Sequence, residues 1–388
     1  MGLRPAMATA PESLMAIASR VAERIDLLLA SEIERWQGVD ADLAAPLTSL
    51  RDLVLAGGKR LRPAFCHWAF VGAGGDPDDP IVVDAGAALE LLHTFALIHD
   101  DVMDGSITRR GLDAVHIDFE ARHAVSSWRG EGRRFGEGVA ILVGDLAFVY
   151  ADLLMVDAGR PAVDVFNELR LEVNIGQYLD LIGTVRGNGT KEAARRICVY
   201  KSGKYTVERP LHLGAALAGG FDELAPSLSS YGLPLGEAFQ LRDDLLGAFG
   251  DEDLLGKPVG DDLREGKPTA LVALARERAS GAAAELLDRR FGRPDLTDDE
   301  VAAIQAAMVD TGAVAEVEAS ISALVGESLA SLEAAPMTAE SREHLVEGAG
   351  RHEGRLQPGD LVLGQVGLAE APVEQLGRLA RRPLTGQR

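Results

Sequence analysis

A helical period of apolar residues runs through most of this 388-residue chain. Apolar side chains recur at i, i+3, i+4 and i+7, whereas the apolar–polar alternation typical of half-buried strands is almost absent. Helices of about 20 residues span about 30 Å and pack antiparallel into bundles whose cores can hold a site. The sequence therefore predicts an all-α fold without a strand hairpin, and its helices are expected over residues 11–36, 44–55, 61–72, 81–104, 138–158, 161–184, 190–201, 204–219, 222–249, 267–278, 280–290, 297–310 and 312–333.

A single large domain is the organisation that these helices favour. We predict that residues 1–350 form one bundle of long antiparallel helices around a central cavity. Residues 126–138, SSWRGEGRRFGEG, are rich in glycine and arginine and are predicted to form a mobile surface loop. The helical period is lost beyond residue 350, so residues 351–388 are predicted to be a C-terminal appendage.

The composition argues against several classes of protein. A formal net charge of −21 argues against a nucleic-acid partner, because phosphate binding needs clustered Lys and Arg. Cys66 and Cys198 lie far apart in sequence and match no metal-binding spacing, which is typical of a reducing cytoplasm. The N-terminus has no apolar run of the signal-peptide kind, and Asp145 and Asp152 interrupt the most apolar stretch, 138–156. That stretch is expected to be a buried helix, and the chain is expected to be cytoplasmic without stable membrane insertion.

Three carboxylates end an apolar helical run at residues 92–105, LHTFALIHDDVMDG. We call Asp100, Asp101 and Asp104 the first acidic cluster. On an ideal helix Asp100 and Asp104 share one face with His93, and two carboxylates at i and i+4 can hold a hard cation such as Mg²⁺. The alternative is an acidic helix end in bulk water, where like charges cost only a few tenths of a kcal/mol.

A second acidic pair follows another apolar stripe in residues 239–251, FQLRDDLLGAFGD. Asp243 and Asp244 form this second acidic cluster, and Gln240 lies one turn before it. The i+4 position from Asp243 is Gly247 and not an acid. Each cluster alone is a weak signal, but two clusters on long helices of one bundle can face the same cavity.

Basic residues occur at several points of the chain that could face that cavity. Residues 57–63, GGKRLRP, open a predicted helix, and Lys and Arg at a helix N-terminus favour an anion, although an ordinary solvated terminus is the alternative. The spacing is not that of a Walker loop. The basic residues concerned are Lys59, Arg60, Arg62, Arg109, Arg110, Lys201, Lys204, Lys257 and Lys267.

Acidic and basic clusters together indicate a substrate that carries diphosphate. No Ser–His–Asp or Cys–His arrangement for nucleophilic catalysis is readable, and only His93 or His99 could be nominated as a general base. A site rich in cations and poor in nucleophiles suits a reaction in which diphosphate leaves. Metal ions and arginine would stabilise the departing charge, and an apolar cavity would shelter a carbocation from water.

The ordered set of motifs resembles the trans-isoprenyl diphosphate synthases, or polyprenyl synthetases, over most of residues 15–350. The matching segments are GGKRLRP, LLHTFALIHDDVMDGSITRRG, GQYLDL, YKSGKYT, FQLRDDLLGAFGD and GKPVGDDLREGKPT. The resemblance implies an all-α enzyme, usually a homodimer, that condenses isopentenyl diphosphate head-to-tail with allylic diphosphates (dimethylallyl, geranyl or farnesyl). It implies Mg²⁺ as the cofactor, with three ions per site when substrate is bound.

The resemblance also implies roles for individual residues. Catalytic roles are predicted for Asp100, Asp101, Asp104, Arg109, Lys201, Gln240, Asp243 and Asp244, of which Asp100, Asp104, Asp243 and Asp244 would hold the metal. Contacts to the allylic substrate are predicted for Arg109, Lys201, Ser202, Gln240, Lys257 and Lys267, and an isopentenyl diphosphate pocket for Lys59, Arg62, His93 and Arg110. Three features depart from the family pattern. Gly247 stands where many members have a third aspartate, Ser202 stands where a threonine commonly follows the lysine, and the tail does not match the usual basic C-terminus.

Product length is predicted from the side chains that precede the first acidic cluster. Phe95 lies five residues before Asp100 and Ala96 four, with Leu92 as the next candidate and no two-residue insertion in the motif. This combination resembles short-chain synthases that make geranylgeranyl diphosphate. The alternatives are a farnesyl or longer-chain synthase, a class I terpene cyclase, and a non-catalytic partner subunit of a prenyl synthase. A cyclase normally carries an Asn/Ser/Glu metal triad, and such a subunit usually lacks an aspartate motif.

Overall fold

The computed structural model describes residues 12–186, 190–250, 260–293 and 295–349, and these residues are almost wholly helical. The first half contains α1 (Glu12–Gln37), a short 3₁₀ turn (Ala41–Leu43), α2 (Ala44–Leu55), α3 (Leu61–Gly72), α4 (Pro80–Asp104), β1 (Thr108–Arg109), β2 (Leu112–Asp113), α5 (Val115–Val125), α6 (Gly132–Leu154) and α7 (Arg160–Arg186). The second half contains α8 (Lys191–Ile197), a π-helical segment (Cys198–Glu208), α9 (Arg209–Leu217), α10 (Phe221–Phe249), α11 (Asp261–Glu265), α12 (Ala270–Arg278), α13 (Gly281–Arg289), α14 (Asp298–Asp310), α15 (Ala313–Glu333) and α16 (Ala339–Gly348). The predicted all-α class is confirmed for the described residues. The predicted appendage 351–388 and Lys257 lie outside them.

The helix that carries the first acidic cluster is α4. Asp79 caps its N-terminus by accepting a hydrogen bond from the N–H of Ile81, and Pro80 stands in the first turn, where no intrahelical N–H partner is needed. Gly105 ends the helix in the left-handed conformation, with φ of 70°. The acidic cluster therefore occupies the last two turns, beside the helix end whose exposed carbonyl groups already carry partial negative charge.

Helix α4 is also, among the described residues, the one helix that is long and apolar enough to cross a membrane. In its most apolar stretch 67% of the residues are buried inside the protein, and the helix packs against α6, α3 and α1. Its apolar character is therefore accounted for by the core of the bundle.

Close helix packing places the π-helical segment in the centre of the fold. A Cβ at Gly176 of α7 would lie 2.6 Å from the Cα of Lys201, and a Cβ at Gly236 of α10 would lie 2.6 Å from the carbonyl oxygen of Gly203. Only glycine permits such close backbone approach. The sequence predicted two separate helices over 190–219, whereas the chain runs through this region as one continuous helix with a π-helical middle.

Helix α6 corrects two further expectations. The loop predicted over 126–138 ends early, because α6 already begins at Gly132. Gly136 lets this first part of α6 pack on α5, since a Cβ there would lie 3.0 Å from the backbone nitrogen of Glu120 and closer still to a carbonyl oxygen. The apolar stretch 138–156 was expected to be buried, but α6 buries only one face, and Leu142 is 61% exposed.

Several short elements were not predicted from the sequence, among them the 3₁₀ turn and α11. Helices α5 and α16 were not predicted, and β1 and β2 form an antiparallel pair in which Thr108 faces Asp113 and Arg109 faces Leu112. The turn between these strands has positive φ at both central residues, Arg110 (55°) and Gly111 (76°), as expected of a two-residue hairpin. Strands of two residues are too short to show alternation, so only the tertiary structure reveals them.

Candidate active site

Both acidic clusters face a single cavity of about 600 Å³, bordered by α4, α7, the π-helical segment, α10 and the segment after α11. The cavity brings together most of the predicted site residues: Lys59, Arg62, His93, Phe95, Ala96, Asp100, Arg109, Arg110, Lys201, Ser202, Gln240, Asp243, Asp244 and Lys267. Asp101, Asp104 and Leu92 are not among its lining residues. Residues separated by up to two hundred positions thus meet at one site.

Asp100 is the member of the first acidic cluster that lines the cavity. It accepts hydrogen bonds from Gln177 Nε2 at 2.7 Å and from Lys201 Nζ at 3.2 Å. Burial acts to raise its pKa, but the charges of Lys201, Lys267 and Arg109 outweigh burial and lower the pKa below its ordinary value. Asp100 is therefore held ionised at the cavity wall.

Asp104 and Asp101 have different surroundings from Asp100. Burial and the neighbouring charge of Asp100 raise the pKa of Asp104 to about 6. Asp101 is 1% exposed and pairs with Arg109, which donates to it from Nε at 2.9 Å. The structure thus places Asp101 behind the cavity wall, where it orients Arg109, although the sequence analysis predicted a catalytic role for it.

The second acidic cluster lies near the C-terminal end of α10. Asp244 is buried and accepts a hydrogen bond from Gln240 Nε2 at 2.8 Å. Burial, with the added charges of Asp243 and Asp262, raises the pKa of Asp244 to about 8. Asp243 is exposed at the cavity surface. Asp244, like Asp104, therefore has other carboxylates close to it.

Lys201 links the two sides of the cavity. Its Nζ lies 3.2 Å from Asp100 and 2.6 Å from Asp180 of α7, and both carboxylates are largely buried. The close approach of Gly176 to the backbone of Lys201 fixes the point from which this side chain extends. The ammonium group of Lys201 therefore lies between two carboxylates, where a metal ion would be expected.

These donors fit a hard divalent cation. They are carboxylate oxygens, which Mg²⁺ prefers. Burial, and after it the neighbouring carboxylates, raises the pKa of both Asp104 and Asp244, so a bound cation would stabilise their ionised forms. Among the described residues, no three His, Cys, Asp or Glu side chains converge closely enough to hold a metal ion by themselves. Mg²⁺ usually takes one or two protein carboxylates and completes its shell with water and phosphate oxygens, so the two clusters suit a metal–diphosphate complex.

A basic pocket lies beside the acidic clusters. The Arg62 guanidinium lies 4.3 Å from the ring centroid of Tyr205, and it donates a hydrogen bond to Thr206 Oγ1 at 2.9 Å. The Tyr205 hydroxyl lies 3.2 Å from Nδ1 of His93. Burial and the nearby arginines hold the pKa of His93 well below its usual range, so His93 is neutral and its ring can share a proton with Tyr205.

The loop that begins this pocket is fixed by a buried ion pair. Arg60 has a positive φ of 51° at the start of α3, and its side chain, 6% exposed, pairs with Glu90 of α4, 2% exposed. Arg60 also donates to the carbonyl oxygen of Val54. Lys59 precedes Arg60 in this loop, and its Nζ lies 5.6 Å from the ring centroid of Phe239.

The β hairpin brings two further arginines to the pocket. Arg110 donates to the carbonyl oxygen of Leu53 at 3.1 Å, while Arg109 is held by Asp101 on the other side. Lys204, which the sequence analysis counted among the basic residues, instead pairs with the buried carboxylate of Glu172, outside the cavity lining.

The apolar part of the cavity is formed around Phe95. Its ring contacts His99 and Phe148, with centroid separations of 4.6 Å and 4.9 Å. Ala96 lines the cavity beside it. Leu92, the other predicted chain-length residue, is fully buried and does not line the cavity, because it lies on the side of α4 that faces the core. His99 also lines the cavity, and its Nε2 lies 3.0 Å from the carbonyl oxygen of Ile141.

Several residues of the site were not assigned by sequence analysis. All of them line the cavity, and they are Glu90, Gln177, Asp180, Tyr205, Thr206, Phe239 and Asp262. The motif GQYLDL contains both Gln177 and Asp180, and its two polar residues at i and i+3 could have indicated a further part of the site. No local signal distinguishes Tyr205 or Phe239 from ordinary core aromatics.

Comparison with known proteins identifies the family. The family model for polyprenyl synthetase matches residues 46–308. The chain belongs to the polyprenyl synthetase family. The family resemblance inferred from the motifs is confirmed, and the chain is accordingly a prenyltransferase.

Relatives of known name extend over most of the same region. The short chain isoprenyl diphosphate synthase of Methanothermobacter thermautotrophicus is 37% identical over 258 residues, which cover 64% of this chain and 74% of that protein. The geranylgeranyl diphosphate synthase of Methanosarcina mazei is 34% identical over 270 residues, covering 68% of this chain and 76% of that protein. Both names are those of prenyl diphosphate synthases, the class of enzyme that the motifs predicted.

A solved structure has the same fold. The geranylgeranyl pyrophosphate synthase from Corynebacterium glutamicum, complexed with isoprenyl diphosphate and magnesium, superposes with a TM-score of 0.78 and 39% sequence identity. The similarity covers 84% of this chain and 96% of that one. The all-α bundle around a cavity is therefore the fold of this polyprenyl synthetase.

Proposed function

We propose that this polyprenyl synthetase condenses isopentenyl diphosphate head-to-tail with dimethylallyl, geranyl and farnesyl diphosphates, releases diphosphate, and forms geranylgeranyl diphosphate. The observation that carries the proposal is the cavity in which two acidic clusters, a basic pocket and an apolar wall meet. Relatives and a solved structure named geranylgeranyl diphosphate synthase support the product.

In the proposed reaction the two acidic clusters hold the diphosphate of the allylic substrate through Mg²⁺, with three ions per site. Bound Mg²⁺ would neutralise the diphosphate oxygens as they take up charge during departure. Asp100, Asp104, Asp243 and Asp244 would hold the metal ions. Arg109, which Asp101 orients, presents its guanidinium to the same oxygens.

Two lysines of the cavity are paired with carboxylates in this structure. Lys201 is paired with Asp100 and Asp180, and Lys267 with Asp262 and Glu265. When a metal–diphosphate complex is bound, each lysine would be able to contact phosphate oxygen while its carboxylate partner faces the cation. Charge balance is then preserved, and no buried charge is left without a partner.

Isopentenyl diphosphate takes the basic pocket in this proposal. Lys59, Arg62 and Arg110 hold its diphosphate, and neutral His93 contributes a hydrogen bond. Tyr205 and Thr206 hold the Arg62 side chain in place. A separate basic pocket is what a second diphosphate substrate requires, and a terpene cyclase, with one diphosphate, has no need of it.

The proposal is tested by incubating the pure protein with radiolabelled isopentenyl diphosphate, each allylic primer and Mg²⁺. Products are dephosphorylated and separated by chromatography. We expect a labelled geranylgeranyl product from each primer and none without Mg²⁺. Cyclised hydrocarbon formed without isopentenyl diphosphate would identify a cyclase, and absence of turnover without a second protein would identify a partner subunit.

Arg62→Ala and Lys59→Ala test the separation of the two substrates. Loss of one charge-assisted contact to a diphosphate costs about 1.5–3 kcal/mol, so the KM for isopentenyl diphosphate should rise about tenfold to a hundredfold. The KM for the allylic substrate should change much less. Arg122→Ala, which removes a surface arginine paired with Asp118 on α5, is the control. Equal effects on both substrates would contradict the two-pocket assignment.

Phe95 is proposed to limit the length of the product. It lies five residues, about 7.5 Å of helix, below the metal-binding Asp100 on α4. Phe148 of α6 packs against its ring, and the Arg170 guanidinium lies 5.0 Å from the ring centroid of Phe148. The growing chain would therefore meet a supported aromatic side chain.

Phe95→Ala should lengthen the product, and Ala96→Phe should shorten it towards farnesyl diphosphate. Each extra methylene that gains apolar contact contributes about 0.8 kcal/mol, enough to shift the product by one or more isoprene units. The measurement is chromatography of the dephosphorylated products. Leu92→Val is the control, since it removes a methylene from the core outside the cavity and should leave the product unchanged. An unchanged product in both cavity variants would place the limit elsewhere.

We further propose that the protein is a homodimer and acts in the cytoplasm. Helices α6 and α7 expose apolar stripes that a soluble monomer rarely shows, and the buried cysteines Cys66 and Cys198 are free thiols. The exposed apolar residues are Ile141, Leu142, Val149 and Leu153 on α6, with Leu171, Ile175, Tyr178, Leu181 and Val185 on α7. A second copy of the chain would cover them.

Leu142→Glu combined with Leu171→Glu should convert the dimer to monomer. Each glutamate would have to lose its water shell in an apolar interface, which is strongly unfavourable. The mass in solution is measured by size exclusion with light scattering at micromolar concentration. Leu27→Glu, at a 62% exposed position on α1, is the control and should stay dimeric. A double variant that stays dimeric would show that the interface lies elsewhere.

A further inference from the structure

Two faces of the π-helical segment have different surroundings. Tyr205 and Thr206 line the cavity, where they contact residues of the basic pocket. Lys204 extends to the other side of the segment, where its Nζ donates a hydrogen bond to Glu172 of α7. Glu172 is 4% exposed and does not line the cavity. A buried ion pair therefore lies behind the part of the segment that forms the basic pocket.

Glu172 binds a second cation, Arg209, at the start of α9. Arg209 donates from Nε to Oε2 of Glu172 at 2.6 Å and from Nη2 to Oε1 at 2.8 Å, a bidentate geometry that makes an ion pair strong and directional. Burial acts to raise the pKa of Glu172, but the hydrogen bonds from Arg209 and Lys204 outweigh burial and lower the pKa. One ionised carboxylate of α7 therefore holds two separate points of the neighbouring helix.

The spacing of these two cations depends on the π-helical winding. Lys204 and Arg209 are five residues apart, and in an α-helix of 3.6 residues per turn they would lie about 140° apart around the axis. The hydrogen bonds of a π-helix join residues five apart, and here the N–H of Arg209 donates to the carbonyl oxygen of Lys204. This bond brings both side chains to one face, where a single carboxylate can bind them. Because π-helices are rare and mostly one turn long, a segment of 11 residues depends on tertiary contacts of this kind.

Tyr205 and Thr206 lie within this five-residue interval, and both contact the basic pocket. The Tyr205 ring centroid lies 4.3 Å from the Arg62 guanidinium, and the Tyr205 hydroxyl lies 3.2 Å from Nδ1 of His93. Thr206 Oγ1 accepts a hydrogen bond from Arg62 at 2.9 Å. A change of winding in the interval would turn both side chains relative to Arg62 and His93. The geometry of the pocket therefore depends on contacts made outside the cavity.

We propose that Glu172 is a positioning residue for the basic pocket. By binding Lys204 and Arg209, it maintains the π-helical winding of the interval between them. This winding in turn holds Tyr205 and Thr206 in the pocket. The proposal rests on the proposed function in one respect, namely that the pocket binds isopentenyl diphosphate. Glu172 then sets the affinity for one of the two substrates without touching either.

Glu172→Gln keeps the size of the side chain and removes the charge that binds both cations. The Kd for isopentenyl diphosphate, measured by calorimetry without allylic substrate, should rise about tenfold, the lower end of the effect of removing a charge-assisted contact outright. In turnover assays the KM for isopentenyl diphosphate should rise by a similar factor, whereas the KM for the allylic substrate should stay close to the wild-type value. Lys204→Met should change the ratio of the two KM values in the same direction.

Glu300→Gln is the matched control for a loss of stability. Glu300 also forms a bidentate ion pair, with Arg290 at 2.7 Å and 2.9 Å, but it lies in α14 and does not line the cavity. Thermal unfolding is measured for both glutamine variants. The ratio of the two KM values should remain that of the wild type in Glu300→Gln, whatever its loss of stability.

The contact between Tyr205 and His93 allows a measurement that needs no substrate. In protein labelled with ¹⁵N at histidine, the Nδ1 resonance of His93 reports its hydrogen bond to the Tyr205 hydroxyl, and it is assigned by comparison with His93→Gln. Glu172→Gln should move this resonance towards its position in Tyr205→Phe. Glu300→Gln should leave the resonance where it is in the wild type.

Two outcomes would overturn the inference. One is an unmoved His93 resonance in Glu172→Gln, and the other is an equal rise in the KM values of both substrates in that variant. A wild-type protein that bound no isopentenyl diphosphate would instead contradict the proposed function of the pocket. The His93 resonance would then still decide whether Glu172 positions the π-helical segment.

Discussion

Asp100→Asn should lower kcat/KM about a hundredfold to a thousandfold, the usual effect of removing one preorganised electrostatic group from an active site. Asparagine keeps the shape of the side chain and can still accept hydrogen bonds from Gln177 and Lys201. It lacks the charge that holds a cation and that balances Lys201. The loss should therefore fall on catalysis and on the Mg²⁺ requirement while the fold is retained.

The measurement is the initial rate of incorporation of labelled isopentenyl diphosphate over a Mg²⁺ titration. Asp113→Asn is the control, because Asp113 is an exposed carboxylate on the hairpin that follows α4. Circular dichroism and thermal unfolding report on the fold. Turnover near the wild-type value at saturating Mg²⁺, with an unchanged spectrum, would show that Asp100 does not hold the metal.

Glu90→Ala should destabilise the protein by about 3–5 kcal/mol, because it leaves Arg60 as a buried charge without its partner. Arg60 and Glu90 are 6% and 2% exposed, and the pair joins the loop before α3 to α4. The same change should loosen the loop that presents Lys59, so the KM for isopentenyl diphosphate should rise as well. The free energy of unfolding is measured by urea denaturation at one protein concentration.

An apolar replacement of both partners separates the two effects. The double variant Arg60→Met with Glu90→Leu should recover most of the lost stability, since replacing a buried ion pair by apolar residues is often neutral. The KM for isopentenyl diphosphate should stay raised in it, because the loop no longer has the pair that fixes its conformation. If Glu90→Ala lowered the free energy of unfolding by less than about 1 kcal/mol, the pair would contribute no more than an exposed ion pair does.

Much of the fold and of the site follows from local sequence patterns. The 3.6-residue period of apolar side chains predicts the long helices, including α4, α7 and α10, because one face of each must be buried. The acidic clusters and the GGKRLRP loop are recognisable because each carries its chemistry within one or two turns. Where the local signal is short or interrupted, prediction failed, as for α5, α16 and the two-residue strands.

Other features of the site depend on contacts between distant parts of the chain. Asp180 meets Lys201 because Gly176 lets α7 approach the π-helical segment, and no local pattern encodes that approach. Likewise Leu92 and Phe95 are both apolar residues of α4, but only packing decides that Phe95 lines the cavity and Leu92 the core.

The sequence by itself therefore determined the all-α class, the family, and the residue types that can bind metal and diphosphate. The tertiary structure decided which of those residues share the cavity and which hold others in place, such as Asp101 behind Arg109. It also decided that the Asp262 carboxylate occupies the space beside Gly247. The physical reason is that helix formation depends on neighbours in sequence, whereas the positions of charges across a cavity depend on how closely whole helices pack.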